Sequence, residues 1–302
     1  MTDADDVRKW LARTGYPLES EVAEAFRARG LQVFQGIHYE ADKADATGAR
    51  EIDVLAFSEE LVRGPMTRCA VLFVIECKSS SVPWVVFRGQ SPANRLGAVG
   101  HLPMNAITEV NLLAAVEFGQ EPWLLRLPED VGFRLVALAT KEPALGIDRT
   151  RERDQAHATV KQVVSAAYGV LRGDPSHLPT IAVPVIVLGT RLYAVSNGEG
   201  RDEVVPSNWE RILWRGDRSG EPIAIDVVSK ESLPEYASLA AKGATELLPV
   251  LRGAALDARE EEFRRQSPPG RADAVVRGVD SARDAVSKLV RRARHSRAKR
   301  SR

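Results

Sequence analysis

The chain has 302 residues, 44% of them hydrophobic and 27% charged, with a formal net charge of +1. That composition belongs to a folded globular chain and excludes a disordered polyelectrolyte, a collagen-like fibre and a disulfide-stapled miniprotein. With only two cysteines, Cys69 and Cys77, neither a disulfide framework nor an all-cysteine zinc site is available.

In chain order, Leu18, Val22, Ala25 and Phe26 recur at helical spacing and predict a helix over 18–29, with Pro17 at its first turn and Gly30 as its C-cap. Strand patterns follow at 31–39, 52–57 and 70–77. The last, AVLFVIEC, is almost continuously apolar and reads as a strand buried on both faces. The glycine- and proline-punctuated stretch 79–103 reads as irregular. Helical spacing returns at 105–118, a strand at 133–140 and a longer helix at 154–171. TIAVPVIVL at 180–188 predicts a strand, with 191–195 as its hairpin partner across Gly189-Thr190. Pro184 places that strand at an edge or a bulge. Strands at 211–214 and 223–228 and a helix at 233–251 complete the body, and EEEFRRQSPPGR interrupts the helical pattern. Beyond the Ser267–Gly270 linker, Val275, Val279, Ala282, Val286, Leu289 and Ala293 form a short coiled-coil-like stripe. The segment 288–302 carries eight basic residues and no acid, so that the rest of the chain, +1 less those eight, has a net charge of −7. A basic arm of this kind suits a polyanion, a dimerising helix or a solvated terminus.

Four polar residues stand in unusual places. Glu76 and Lys78 end the apolar strand, and alternation puts them on one face with Cys77 on the other. Charges at the end of an interior strand call for a partner or a metal; the alternative is a solvated ion pair just past the strand end. Asp53 sits among Ile52, Val54, Leu55, Ala56 and Phe57, where it lines a site, caps a turn or pairs with Arg50 or Arg63. Glu51 reads as a solvated strand-end residue. On the first helix, Glu19 borders the apolar stripe while Glu21 and Glu24 face water; its alternative is a first-turn acid favouring the helix dipole.

The order helix with Glu19, strand, strand with Asp53 in REIDVLA, strand ending VIECKSS, then helix and strand resembles the PD-(D/E)XK nuclease superfamily, and the first helix resembles that of Mrr-like restriction endonucleases. Ile52 stands where the motif name has proline. The resemblance covers 17–83 and implies an α/β, restriction endonuclease-like core, αβββαβ, with a mixed sheet flanked by helices. It also implies an α/β elaboration at 180–251, so that one nuclease domain spans 15–265, ahead of a basic helical tail at 266–302. It further implies a metal-dependent DNA endonuclease with Glu19, Asp53, Glu76 and Lys78 as catalytic residues. Asp53, Glu76 and the Cys77 backbone carbonyl would hold Mg²⁺, with Mn²⁺ able to substitute. Lys78 would orient the attacking water.

Trp84, Arg88 and Gln90, just past the motif, are candidate substrate contacts through base stacking and phosphate binding; a core tryptophan and a solvated loop are the alternatives. The expected partner is the DNA phosphate backbone, with a homodimer allowed. No Walker loop or Gly-x-Ser-x-Gly elbow is present, so neither a nucleotide cofactor nor an esterase is expected. No apolar run approaches the ~20 residues of a membrane helix, and the acidic opening MTDADDVRKW is unlike a signal peptide, so a cytoplasmic protein without membrane contact is expected. The competing function is a nucleic-acid-binding or scaffold protein that keeps the nuclease fold without activity.

Overall fold

A computed structural model of the chain describes residues 3–11, 16–40, 49–62, 67–80, 82–90, 101–104, 122–137, 150–173, 179–198, 201–215 and 222–266. The chain divides into two compact units, Met1–Ala255 and Leu256–Arg302. Of the second unit the described residues are 256–266, helical throughout. The expected helix at 105–118, the Ser267–Gly270 linker and the basic stripe lie outside the described residues.

The first unit is α/β. Helices α1 (Asp3–Leu11) and α2 (Tyr16–Arg27) lead into strands β1 (Gln32–Glu40), β2 (Ala49–Val62), β3 (Thr67–Lys78), β4 (Trp84–Gln90) and β5 (Asp130–Ala137). Helix α3 (Thr150–Gly173) follows, then β6 (Thr180–Leu188), β7 (Leu192–Gly198), β8 (Arg201–Ser207), β9 (Trp209–Trp214) and β10 (Ile223–Ser229). Helix α4 (Leu233–Gln266) closes the described chain. Helix α2 ends as its sequence predicts. Gly30 takes φ +82°, its amide donates to Arg27 O at 3.0 Å, and Leu31 N–H reaches back to Phe26 O at 3.4 Å, a Schellman closure that only glycine adopts without strain.

The described strands form one mixed sheet in the order β1-β2-β3-β6-β10-β9-β5-β4-β7-β8. Its centre is parallel, β3 against β6 and β6 against β10, while β1, β2 and β3 are antiparallel neighbours. Every residue of β6 is buried, which explains its unbroken apolar run. This sheet curls. Leu188 and Leu192 are joined by so few residues that they cannot lie more than ~14 Å apart. Yet five strand-to-strand steps, about 24 Å if flat, separate β6 from β7.

Three apolar clusters hold the layers together. Leu18, Val22, Ala23 and Phe26 of α2 pack with Tyr236, Ala240 and Leu247 of α4 on Val54, Phe73, Ile75 and Val185. On the opposite face, Ala156, Val160 and Val163 of α3 pack with Trp84, Val86, Ile186 and Ile212. Further along α3, Ala166 and Ala167 cover Tyr39, Ile52, Leu55 and Val74.

Several expectations are corrected. Pro184 sits in a central strand rather than at an edge; it faces Val74 on the β3 side, and the β10 ladder begins one residue later, at Val185. Strand β7 is not the hairpin partner of β6, because it pairs with β4 and β8. The stretch predicted as irregular contains β4, whose WVVF is half in the core. Helix α4 runs on through EEEFRR to Gln266, a stretch in which glutamate and arginine are good helix formers.

Candidate functional site

Strands β2 and β3 pair from Val62 with Thr67 up to Val54 with Ile75 and then part, although each continues as a strand. One step past the last pair, Asp53 and Glu76 stand opposite each other. The acid pair therefore marks the mouth of a fork. Across it, the Cys77 backbone N–H donates to Asp53 Oδ2 at 2.7 Å, so a carboxylate takes over where the strand-to-strand ladder stops.

Glu76 is 3% exposed and accepts a hydrogen bond from Lys78 Nζ, whose side chain is partly exposed. It is not the solvated strand-end pair that the sequence also allowed. Burial, then the charge of Asp53, pushes the Glu76 carboxyl up to about 7, against the opposing pull of Lys78. Asp53 is pushed up as well, first by burial, though the Cys77 amide and Lys78 pull the other way. Glu19, in the first turn of α2, completes the group. A free first-turn acid should have its carboxyl lowered by the helix dipole; Glu19 is instead raised by burial, Asp53 and Glu51. The charge of Asp53 acts on Glu19 and on Glu76, that of Glu19 acts on Glu76, and that of Lys78 acts on all three acids, so the fold brings Glu19, Asp53, Glu76 and Lys78 to one place from α2, β2 and β3.

Glu51 is a strand-end residue open to solvent, as its position predicts, and its charge acts on both Asp53 and Glu19. Glu21, on the outer face of α2, is engaged with Lys230 at 2.7 Å. The Cys77 thiol lies in the cluster beneath α2, and burial drives its pKa well above the ordinary thiol value.

The three residues proposed to touch substrate are placed differently. Trp84 is fully buried in the cluster under α3, which corrects the stacking assignment, since no ring face is open to a base. Arg88 makes a two-point ion pair with buried Glu210, which also accepts from Ser207 Oγ. Gln90, at the end of β4, is exposed. Lone-residue reasoning missed the partner Glu210, because its distance from Arg88 in sequence carries no local signal.

Among the described residues no three His, Cys, Asp or Glu side chains form a ready-made metal cage. Mg²⁺ does not require one, because it keeps several waters and is held through one or two carboxylates. The donors here are hard carboxylate oxygens, largely buried, with the Lys78 ammonium beside them. That chemistry fits a divalent cation better than a soft one. No helix among the described residues is long and apolar enough to cross a membrane. No family model, curated protein or solved structure matches the chain.

Proposed function

We propose that the chain is a divalent-metal-dependent endonuclease of PD-(D/E)XK type, hydrolysing phosphodiester bonds in DNA. The observation that carries the reading is the opposition of Asp53 and Glu76 at the strand fork, with Lys78 held by Glu76. Two oxygen ligands and a cation in reach of the same space are what phosphoryl transfer to water asks of a protein.

Asp53 and Glu76 would hold Mg²⁺, with Mn²⁺ substituting. The ion supplies Lewis-acid stabilisation of the phosphoryl charge and lowers the pKa of water. Glu76 fixes the Lys78 ammonium, which keeps a donor at the spot where negative charge develops and orients the attacking water. Cys77 N–H holds the Asp53 carboxylate in one orientation, so no reorganisation is needed at the moment of attack. Glu19, raised by burial and then by Asp53, would reach the metal through water or help position it.

The test is cleavage of supercoiled plasmid and of single-stranded DNA with Mg²⁺ or Mn²⁺, using wild type, Asp53→Asn, Glu76→Gln and Lys78→Met. Wild type should cut, and each variant should be slower by about 10²–10³-fold. A wild-type protein that cuts nothing, or variants that cut as well as it does, would sink the proposal.

A further inference from the structure

The neighbouring strand β1 carries an irregularity that meets Asp53. Pairing between β1 and β2 runs Gln32 with Phe57 to Gln35 with Val54, then resumes with Ile37 and Ile52. Only the rung of Gly36 and Asp53 is missing. Gly36 has φ +64°, a left-handed conformation that side-chain-bearing residues rarely adopt.

Both strands change phase at that rung. Val33 packs on the α2 side, whereas Ile37 and Tyr39, an even number of residues away, pack on the α3 side. Likewise Val54 and Ala56 lie on the α2 side, while Ile52 lies under α3. In a regular strand residues two apart share a face, so the alternation inverts at Gly36 and Asp53 together. Because both strands slip at once, the register on either side stays intact.

The inversion has two consequences at the acids. Asp53 is left out of the ladder toward β1 and lies past the end of the ladder toward β3, so its carboxylate is free to turn into the fork and accept the Cys77 amide. With Ile52 under α3, Glu51 is carried to the α2 side, where its charge acts on Glu19. A Cβ at Gly36 would lie 3.0 Å from Glu51 Oε1, so the missing side chain also leaves room for that carboxylate. Paired irregularities that re-aim a side chain occur beside functional sites.

We infer that Gly36 is a positioning residue: its left-handed backbone inverts β2 at Asp53 and aims the Asp53 carboxylate at the Cys77 amide. Gly36 touches no substrate and acts through Asp53, besides leaving room for the Glu51 carboxylate. The expected effect on metal and on cleavage rests on the nuclease reading; the effect on Cys77 does not.

The full chain is compared as wild type, Gly36→Val, Gly36→Ala and Gly36→Asn, without added metal, by amide NMR. Asparagine tolerates the left-handed region and valine does not, while Glu51 is exposed and can swing away from the new side chain. In Gly36→Val, and less so in Gly36→Ala, the Cys77 amide should exchange about tenfold faster, with Val74 and Ile75 unchanged. Mn²⁺ affinity should fall about tenfold or more. Gly36→Asn should restore both to near wild type. If Gly36→Val does not fold, the contrast between Gly36→Ala and Gly36→Asn decides. An unaltered Cys77 amide in the folded valine or alanine variant, or an asparagine variant no better than alanine, overturns the inference. Wild type without Mn²⁺ binding or cleavage counts against the nuclease reading alone, since the Cys77 amide still judges Gly36.

Discussion

Asp53 and Cys77 lie on adjacent strands that have stopped pairing, and the Asp53 carboxylate accepts the Cys77 amide at 2.7 Å. The same contact that keeps that amide satisfied in a partly buried place also orients an acid beside Glu76, so local hydrogen-bond economy and site geometry have one cause.

The acids make stability depend on pH. Glu76 is raised to about 7 from an ordinary 4.5, so the folded chain prefers it neutral. A raised carboxyl gives stability that is complete below 4.5 and is lost as pH climbs through 7. At most this is worth on the order of 3 kcal/mol. Metal-free wild type should therefore melt lower at pH 8 than at pH 5, and Glu76→Gln should flatten that difference. Mg²⁺ should restore stability at pH 8 in wild type only. Thermal melts at both pH values, with and without Mg²⁺, check this.

Cleavage should rise with pH through the Glu76 transition at low Mg²⁺, and its midpoint should move down as Mg²⁺ is raised, because the cation favours the ionised carboxylate. A midpoint that ignores metal concentration would assign the transition to another group. Initial rates across a pH series at two metal concentrations are the measurement.

A second polar group is structural. Arg211 is buried, donates to both oxygens of Asp226 at 2.7 and 2.9 Å, and gives further bonds to Leu124 O and Arg126 O. Tyr236 of α4 donates to the same carboxylate at 2.7 Å. Asp226→Ala leaves the guanidinium buried and uncompensated, and should cost about 3–5 kcal/mol. Tyr236→Phe removes one bond from a charged acceptor and should cost roughly 1.5–3 kcal/mol. Urea unfolding separates the two, and equal losses would contradict the network.

Strands β5 and β9 meet at a single registered pair, Gly132 with Ile212. A Cβ on Gly132 would overlap both Ile212 and Val86, from opposite sides, so neither neighbour can yield without pushing on the core. Gly132→Ala should cost about 1–3 kcal/mol by overpacking. Gly253→Ala, in α4 with open space around it, should be neutral or stabilising. Paired melting curves test the contrast.

Both thiols should be silent in the folded chain. Cys69 is fully buried, with its pKa pushed up to about 11, and burial likewise pushes the Cys77 thiol well above its ordinary value. Thiol titration at pH 8 should give almost no reaction under native conditions and both cysteines in denaturant. Fast native labelling of Cys77 would mean that the fork opens.

Much of this fold is written in local patterns. The α2 stripe, the Gly30 cap, the apolar β3 and β6, and the acids at the ends of strands are short-range signals, because period and burial act over neighbouring residues. By local pattern alone, Glu19, Asp53, Glu76 and Lys78 stood as separate candidates, and it was the motif order that grouped them. Their meeting depends on where β2 and β3 stop pairing, and pairing is a contact between distant residues. The sheet order, with β6 in the middle despite Pro184 and β7 paired away from β6, likewise rests on contacts between distant residues. Trp84 shows the same limit from the other side: its place just past the motif offered it as a substrate contact, its apolar neighbours offered the core, and packing under α3 decided for the core. What composition and periodicity determined was the set of strands, helices and chemically able residues; what only tertiary structure decided was which of them face one another, because a left-handed glycine on one strand can re-aim an acid on the next.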